Sequence, residues 1–184
     1  MNQDTDFTIT VATKDQLTAA QRTNIIKLCS AAFEEEFEPY IANFVDPVYL
    51  LGTVGGRLVS HACWITRWMQ IGQARPLRTA YVEAVATDVD WRGNGFASRI
   101  MQTLASLIQA INSPPYEIAA LSPATHSFYQ RLGWQLWKGP LYGRKAGDLI
   151  AMPGEEVMVL PLAATPPFER NWPASIEWRE GEVW

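Results

Sequence analysis

Glu83 is the one carboxylate inside an apolar run, Thr79 to Thr87, that reads TAYVEAVAT. Alternation along a strand places it on the opposite face from Val82 and Ala84. A carboxylate buried without a partner is strongly penalised. Glu83 therefore faces a polar cavity or an ion pair, or else lies on a half-exposed strand. The flanking AYV and AVA favour the first. Just beyond the run, Arg92, Gly95 and Ala97 give R-x-x-G-x-A, with Gly93 and Asn94 between. Free N–H groups at a helix N-terminus attract phosphate, small residues let it approach the backbone, and Arg92 adds a permanent cation. The missing GK[ST] rules out a P-loop, and the missing first glycine spacing rules out a dinucleotide fingerprint. Taken alone, the loop suits a plain chain reversal as well as a phosphate cradle. The strand before it and the long amphipathic helix after it favour the cradle.

The elements around these residues follow from periodicity. Phe7, Ile9 and Val11 alternate as in a strand. Thr18 and Gln21 form a capping-box pattern, and the spacing of Ile25, Cys29, Ala32 and Phe33 predicts a helix from about Thr18 to about Phe37. Pro39 and Pro47 punctuate an irregular or short helical link. YLLGTV and LVSHACWITRWMQI form a hairpin with Gly55 and Gly56 in its turn, and residues 79–87 form the next strand. Phe96, Ile100, Leu104, Ile108 and Ile111 mark one helix face, which NSPP stops. A short strand (YEIAAL), a short helix from Thr125 to Leu132 capped by Gly133, and two late strands (WQLWK, EVMVLPL) complete the order. Residues from Ala163 onward hold Pro166, Pro167 and Pro173 and read as an irregular tail. The pattern predicts one domain over residues 1–184, an α/β (α+β) fold with a mixed sheet and helices on both faces.

Whole-chain properties narrow the partners. The 184 residues are 48% hydrophobic and carry a net charge of −4, with no basic block, which argues against nucleic acid. The opening MNQDTDFTIT lacks the pattern of a secretion signal, and no apolar run approaches a membrane span. Cys29 and Cys63 lack CxxC spacing and read as buried free thiols in a reducing cytoplasm, with a disulfide as the alternative. His61 and His126 are the only histidines, which excludes a histidine-rich metal site; no metal is expected. Of the eight tryptophans, most belong to core and rim packing, and some offer flat walls to a sugar.

The segment through Arg92–Ala97 resembles the acetyl-CoA motif of the GCN5-related N-acetyltransferases. YVEAVATDVDWRGNG, the later ALS and FYQRLGW, and the closing WREGEVW resemble, more narrowly, the aminoglycoside 2'-N-acetyltransferases. The resemblance implies a central mixed, mostly antiparallel sheet whose strands 79–87 and 117–121 splay to admit acetyl-CoA. It implies that Ala84, Val85 and Ala86 offer backbone groups to the pantetheine arm. Arg92, Gly93, Asn94, Gly95, Phe96 and Ala97 would hold the pyrophosphate, mainly through main-chain N–H groups. Glu83 matches the family's proposed base and Tyr129 its proposed acid. A phenol can protonate the departing thiolate or hydrogen-bond to it. For Tyr129 the spacing alone suits an aromatic packed in a short helix. Glu36, Ser122, Glu182 and Trp184, together with Glu83, match contacts to a cationic aminoglycoside, so the tail would contribute to the acceptor site. Ile41, and Gly154 with Glu155 and Glu156, stand where relatives acting on 2-deoxystreptamine drugs carry more aspartates. Fewer acids suit an acceptor with fewer amines, such as kasugamycin. The resemblance also implies a homodimer. The implied activity is acetylation of an aminoglycoside's 2'-amine, conferring resistance. The alternatives are acetylation of another small amine or a protein amine, and acyl-CoA or antibiotic binding without turnover.

Overall fold

The structure, a computed structural model, describes residues 6–184. The first five residues, part of the opening segment read for a secretion signal, lie outside the described residues. Ten strands of one mixed sheet and four α-helices are present among the described residues. The sheet contains both antiparallel and parallel strand pairings. The chain forms two compact units: one runs to Ile65 and includes Glu83–Ser106, and the other comprises Thr66–Val82 and Leu107–Trp184.

In the first unit, β1 (Phe7–Thr13) pairs antiparallel with β2 (Val48–Val54), and β2 with the start of β3 (Arg57–Ile71). The hairpin turn is at Gly55 and Gly56, as read from the sequence, and both glycines have positive φ. Helix α1 (Ala19–Phe33) opens on the predicted capping box: Thr18 Oγ1 accepts from Gln21 N at 3.1 Å, and Gln21 Oε1 accepts from Thr18 N at 2.9 Å. It stops at Phe33, four residues short of the expected end. Glu34 turns left-handed (φ 59°), and the Ser30 hydroxyl accepts from Phe37 N, so the chain leaves the helix axis there. Phe37 then stacks between Phe33 and Tyr40 and opens the short α2 (Glu38–Ala42). The end of β4 (Leu77–Thr87) and the start of α3 (Phe96–Ala110) complete this unit. Phe96, Ile100, Leu104 and Ile108 are buried along α3 in the predicted periodicity, whereas Ile111 falls just past the end of the helix and is half-buried.

In the second unit, β4 pairs parallel with β5 (Ile118–Leu121) over Thr79–Tyr81 and Ile118–Ala120, and β4 continues well past that pairing. β5 pairs antiparallel with β9 (Met158–Pro161), which also holds β6 (Gln135–Leu136). Helix α4 (His126–Gln130) follows Thr125, and Gly133 turns with φ 89°. Two features depart from expectation. Residues 141–151 form an antiparallel hairpin, β7 (Leu141–Lys145) and β8 (Asp148–Ala151), turned by left-handed Ala146 and Gly147. The tail is not wholly irregular: β10 (Ala174–Glu177) lies between β3 and β7, antiparallel to one and parallel to the other. Arg67 (β3) and Glu177 anchor it through a 2.7 Å ion pair, and Arg67 is 3% exposed. Removing one partner would leave a buried charge uncompensated.

Close approach fixes one glycine here. A Cβ on Gly139 would sit 2.0 Å from the Trp172 carbonyl oxygen and 2.7 Å from the Asn171 backbone, where no flexible side chain can give way. Gly139→Ala is expected to destabilise the protein by about 2–3 kcal/mol. Calorimetry would read this as a fall in Tm of roughly 5–10 °C; an unchanged Tm would contradict the packing.

Candidate active site

Glu83 lies in the late part of β4, among buried Val82, Ala84 and Ala86, and is itself half-buried. Burial alternates as expected, yet the strand is not regular. Ala84 has φ 54°, the left-handed region that costs a non-glycine residue about 1–2 kcal/mol. Such outliers inside strands re-aim the neighbouring side chain and interrupt the ladder. Side chains of β3 take over the backbone acceptors at this point. Cys63 Sγ donates to Glu83 O at 3.6 Å, His61 Nδ1 lies 2.8 Å from Ala84 O, and Ser60 Oγ donates to Ala86 O at 3.2 Å. Thus, of the three residues expected to offer backbone groups to the pantetheine arm, Ala84 and Ala86 have their carbonyls engaged by β3 side chains. Val85 is the residue of the three whose carbonyl carries no such bond.

The loop after β4 lies between a strand and a helix, as read from the sequence. Asp88 caps a short 3-10 turn over Val89–Trp91, accepting from Asp90 N at 3.0 Å. Gly93 (φ 83°) and Gly95 (φ 77°) flank Asn94, whose Nδ2 donates to Trp91 O at 3.0 Å. Left-handed residues at alternate positions turn successive N–H groups toward one side, the geometry of an anion nest. A Cβ on either glycine would meet nothing within 4 Å, so the loop faces open space. Arg92 through Gly95 are exposed. Phe96 is buried, its ring stacked on Phe7 at 4.1 Å and 1°, which anchors the start of α3; its main chain alone is available to a ligand. Ala97 is half-buried in the first turn.

A cleft of about 350 Å³ adjoins this loop within the first unit. Thr87, Asp88, Val89 and Arg92 form one wall, and Asn24, Lys27 and Arg57 bring polar and basic groups from α1 and β3. Arg57 donates to Asp88 at 2.6 Å, while Arg92 Nε donates to Thr87 O at 3.3 Å. Lys27 and Arg57 escaped the sequence reading because they lie far along the chain from the loop. Only the fold brings them to the same cleft as Arg92.

Tyr129, in the second unit, sits on α4 and is 6% exposed. Phe128 and Trp134 meet its ring edge-to-face at 4.8 and 6.3 Å. Burial pushes its phenol up to about 12, so it is a neutral donor across the physiological range. Ser122 is exposed directly after β5. Glu182 is exposed, whereas Val183 and Trp184 are buried, at 3% and 2% exposure. Arg179 Nε donates to the Glu182 carbonyl within this segment, and the burial of Val183 and Trp184 docks it. Glu36 is exposed in the link between α1 and α2. Its neighbours are otherwise engaged: Glu38 pairs with Arg22 at 3.0 Å and Glu35 accepts from Tyr40 at 3.3 Å. Ile41 is buried in the core of α2, and Glu156 lies 2.8 Å from His126 Nε2. No group of three or more His, Cys, Asp or Glu able to hold a metal ion is present among the described residues. No described helix is long and apolar enough to cross a membrane.

Comparison with known proteins identifies the family. The family described as "Acetyltransferase (GNAT) domain" matches residues 14–137. An aminoglycoside 2'-N-acetyltransferase of Mycolicibacterium fortuitum is 31% identical over 135 residues, covering 70% of this chain and 67% of that one. Among solved structures, a GNAT family N-acetyltransferase from Escherichia coli in complex with CoA matches with a TM-score of 0.68 at 18% identity, over 98% of this chain and 93% of that one. Eis1 from Mycobacterium abscessus matches with a TM-score of 0.60 at 15% identity; it covers 73% of this chain, which spans about a third (32%) of that protein. The mixed sheet, the glycine loop between β4 and α3, and these matches place the chain in the GNAT acetyltransferase family.

Proposed function

We propose that the protein transfers the acetyl group of acetyl-CoA to the 2'-amine of an aminoglycoside. The observation that carries this reading is the 31% identity to an aminoglycoside 2'-N-acetyltransferase, over a stretch comprising 70% of the chain. The loop supports the donor: left-handed Gly93 and Gly95, exposed N–H groups at the start of α3 and the cation of Arg92 suit a pyrophosphate. Lys27 in the adjoining cleft adds positive charge for a donor rich in phosphate, while the charge of Arg57 is offset by its ion pair with Asp88. Bound there, acetyl-CoA supplies an activated thioester; the chain supplies orientation and proton handling.

An aminoglycoside amine is mostly protonated at neutral pH and attacks only after losing a proton. Glu83 takes that proton, directly or through one water, as the nitrogen forms its bond to the thioester carbonyl carbon. The C–S bond then breaks and the electron pair leaves on sulfur. Tyr129 donates a hydrogen bond to the developing thiolate. Its high pKa suits a donor that steadies charge better than an acid that gives up its proton outright, because a thiol is the stronger acid of the two. Glu36, Ser122, Glu182 and Trp184 provide the acceptor contacts, and a homodimer in the cytoplasm belongs to the same reading. Buried Ile41 and the engagement of Glu156 by His126 support an acceptor with few amines, of the kasugamycin kind.

Incubation with acetyl-CoA and a panel of kasugamycin, gentamicin, spermidine and a lysine peptide tests the proposal. The expected product is an aminoglycoside acetylated at the 2'-nitrogen, located by NMR. Faster thiol release with spermidine or the peptide than with any aminoglycoside would refute it. Tight binding of acetyl-CoA and drug with no product would instead establish a binding protein.

A further inference from the structure

His61 is a fully buried ionisable side chain near Glu83, at 0% exposure, and the mechanism above does not use it. It sits on β3 with its Nδ1 2.8 Å from the carbonyl oxygen of Ala84. A carbonyl only accepts, so the proton of this bond belongs to Nδ1. The other ring nitrogen, Nε2, is buried and has no hydrogen-bond partner. A ring protonated on both nitrogens would strand one N–H there. The groups around the ring offer no charge to favour that form. Cys29 Sγ lies 3.8 Å from Nδ1 and the Tyr49 ring 5.9 Å away, and burial raises both groups to about 12. Burial likewise lowers His61 to about 4, against the opposing pull of its bond to Ala84. The ring is therefore neutral, in the Nδ1–H tautomer.

The acceptor of that proton is the unusual part. Ala84 is left-handed within a strand, an arrangement that persists only where its surroundings hold it. A residue in that conformation rotates its carbonyl relative to the regular ladder, and here a side chain from β3 meets it. Glu83 is the residue immediately before.

We infer that His61 is a positioning residue for acetyl transfer: its Nδ1–H holds the Ala84 carbonyl, fixes the left-handed turn of β4, and thereby aims the Glu83 carboxylate. This rests on the reading of Glu83 as the base. His61 touches neither donor nor acceptor in this role.

Two measurements test it. In imidazole ¹⁵N–¹H correlation spectra of the full chain, His61 should carry its proton on Nδ1 at pH 7; a proton on Nε2 would overturn the inference whatever the activity. The second measurement is acetyl transfer from acetyl-CoA to kasugamycin. Asparagine places an amide N–H near the position of Nδ1, whereas glutamine reaches toward Nε2 and leucine has no donor. His61→Asn should keep kcat within about threefold of the parent. His61→Leu and His61→Gln should lower kcat by about 10- to 100-fold, with little change in KM for acetyl-CoA, as expected for a misplaced catalytic group. In a Glu83→Gln background, His61→Leu should add less than about twofold, because its effect passes through the missing carboxylate. Near-UV circular dichroism and Tm confirm that each variant folds; if leucine is not tolerated, the asparagine–glutamine contrast still decides. Equal losses in the asparagine and glutamine variants, or a leucine cost that persists in the double variant, would overturn the inference. Unchanged turnover in Glu83→Gln alone would remove the base assignment, while the tautomer measurement would still report on the His61–Ala84 bond.

Discussion

Glu83→Gln is expected to lower kcat for acetyl transfer by about 10²- to 10⁴-fold while leaving acetyl-CoA affinity within about twofold. Glutamine keeps the shape and the hydrogen-bonding reach of glutamate, so the strand and its left-handed turn at Ala84 remain. It cannot take a proton, and the acceptor amine arrives with one to lose. The loss amounts to about 3–5 kcal/mol of transition-state stabilisation. Donor binding is expected to survive because Arg92–Ala97 lie beyond the substituted residue, in a loop that turns on Gly93 and Gly95. Single-turnover kinetics and calorimetric titration with acetyl-CoA separate the two effects. A pH–rate profile adds a signature: the rising limb that reports an ionising base in the parent should flatten in the variant. Turnover equal to the parent's would remove Glu83 from the mechanism.

Tyr129→Phe is expected to have the second large effect, a fall in kcat of about 10²- to 10³-fold, comparable to the loss of one preorganised donor to a developing anion. Phenylalanine preserves the edge-to-face contacts with Phe128 and Trp134, so the fold and Tm should change little. The pH dependence distinguishes a hydrogen-bond donor from an acid tuned to neutral pH. The phenol is pushed up to about 12 by burial, and activity needs its protonated form. The Tyr129 contribution is therefore complete at neutral pH and is lost only as pH rises through about 12. The parent should show no falling limb from this group below roughly pH 11. A falling limb near pH 9 that vanishes in Tyr129→Phe would refute the burial-shifted phenol.

The two catalytic candidates were legible in the sequence for different reasons. Glu83 stood out because a charge in TAYVEAVAT conflicts with its neighbours, and conflicts between local pattern and residue type concentrate at functional sites. Tyr129 did not stand out; spacing made it one more aromatic on a short helix, and resemblance supplied its role. The loop was legible because Gly93 and Gly95 are needed for backbone conformations that other residues resist. His61 could not be read at all. Its partner is the carbonyl of a left-handed alanine, and no propensity marks an alanine for that conformation.

The misread elements follow a similar logic. The spacing of Ile25, Cys29, Ala32 and Phe33 carries the expected helix to about Phe37, but the Ser30 hydroxyl and the aromatic stack around Phe37 hold that residue outside it. β8 is exposed throughout, so it carries no alternation to detect. β10 lay in a proline-rich tail and becomes a strand through Arg67–Glu177 and its pairing with β3 and β7, all contacts of long sequence separation.

Ala84 carries a consequence for protein engineering. Conformational repair programmes seek out left-handed non-glycine residues and replace them with glycine, since the swap commonly relieves strain. At this position the relief would come at the hinge beside Glu83, and glycine's wider choice of conformations would loosen the aim that alanine and His61 share. Ala84 is thus the place in this chain where thermostabilisation and turnover should be pursued as opposing objectives.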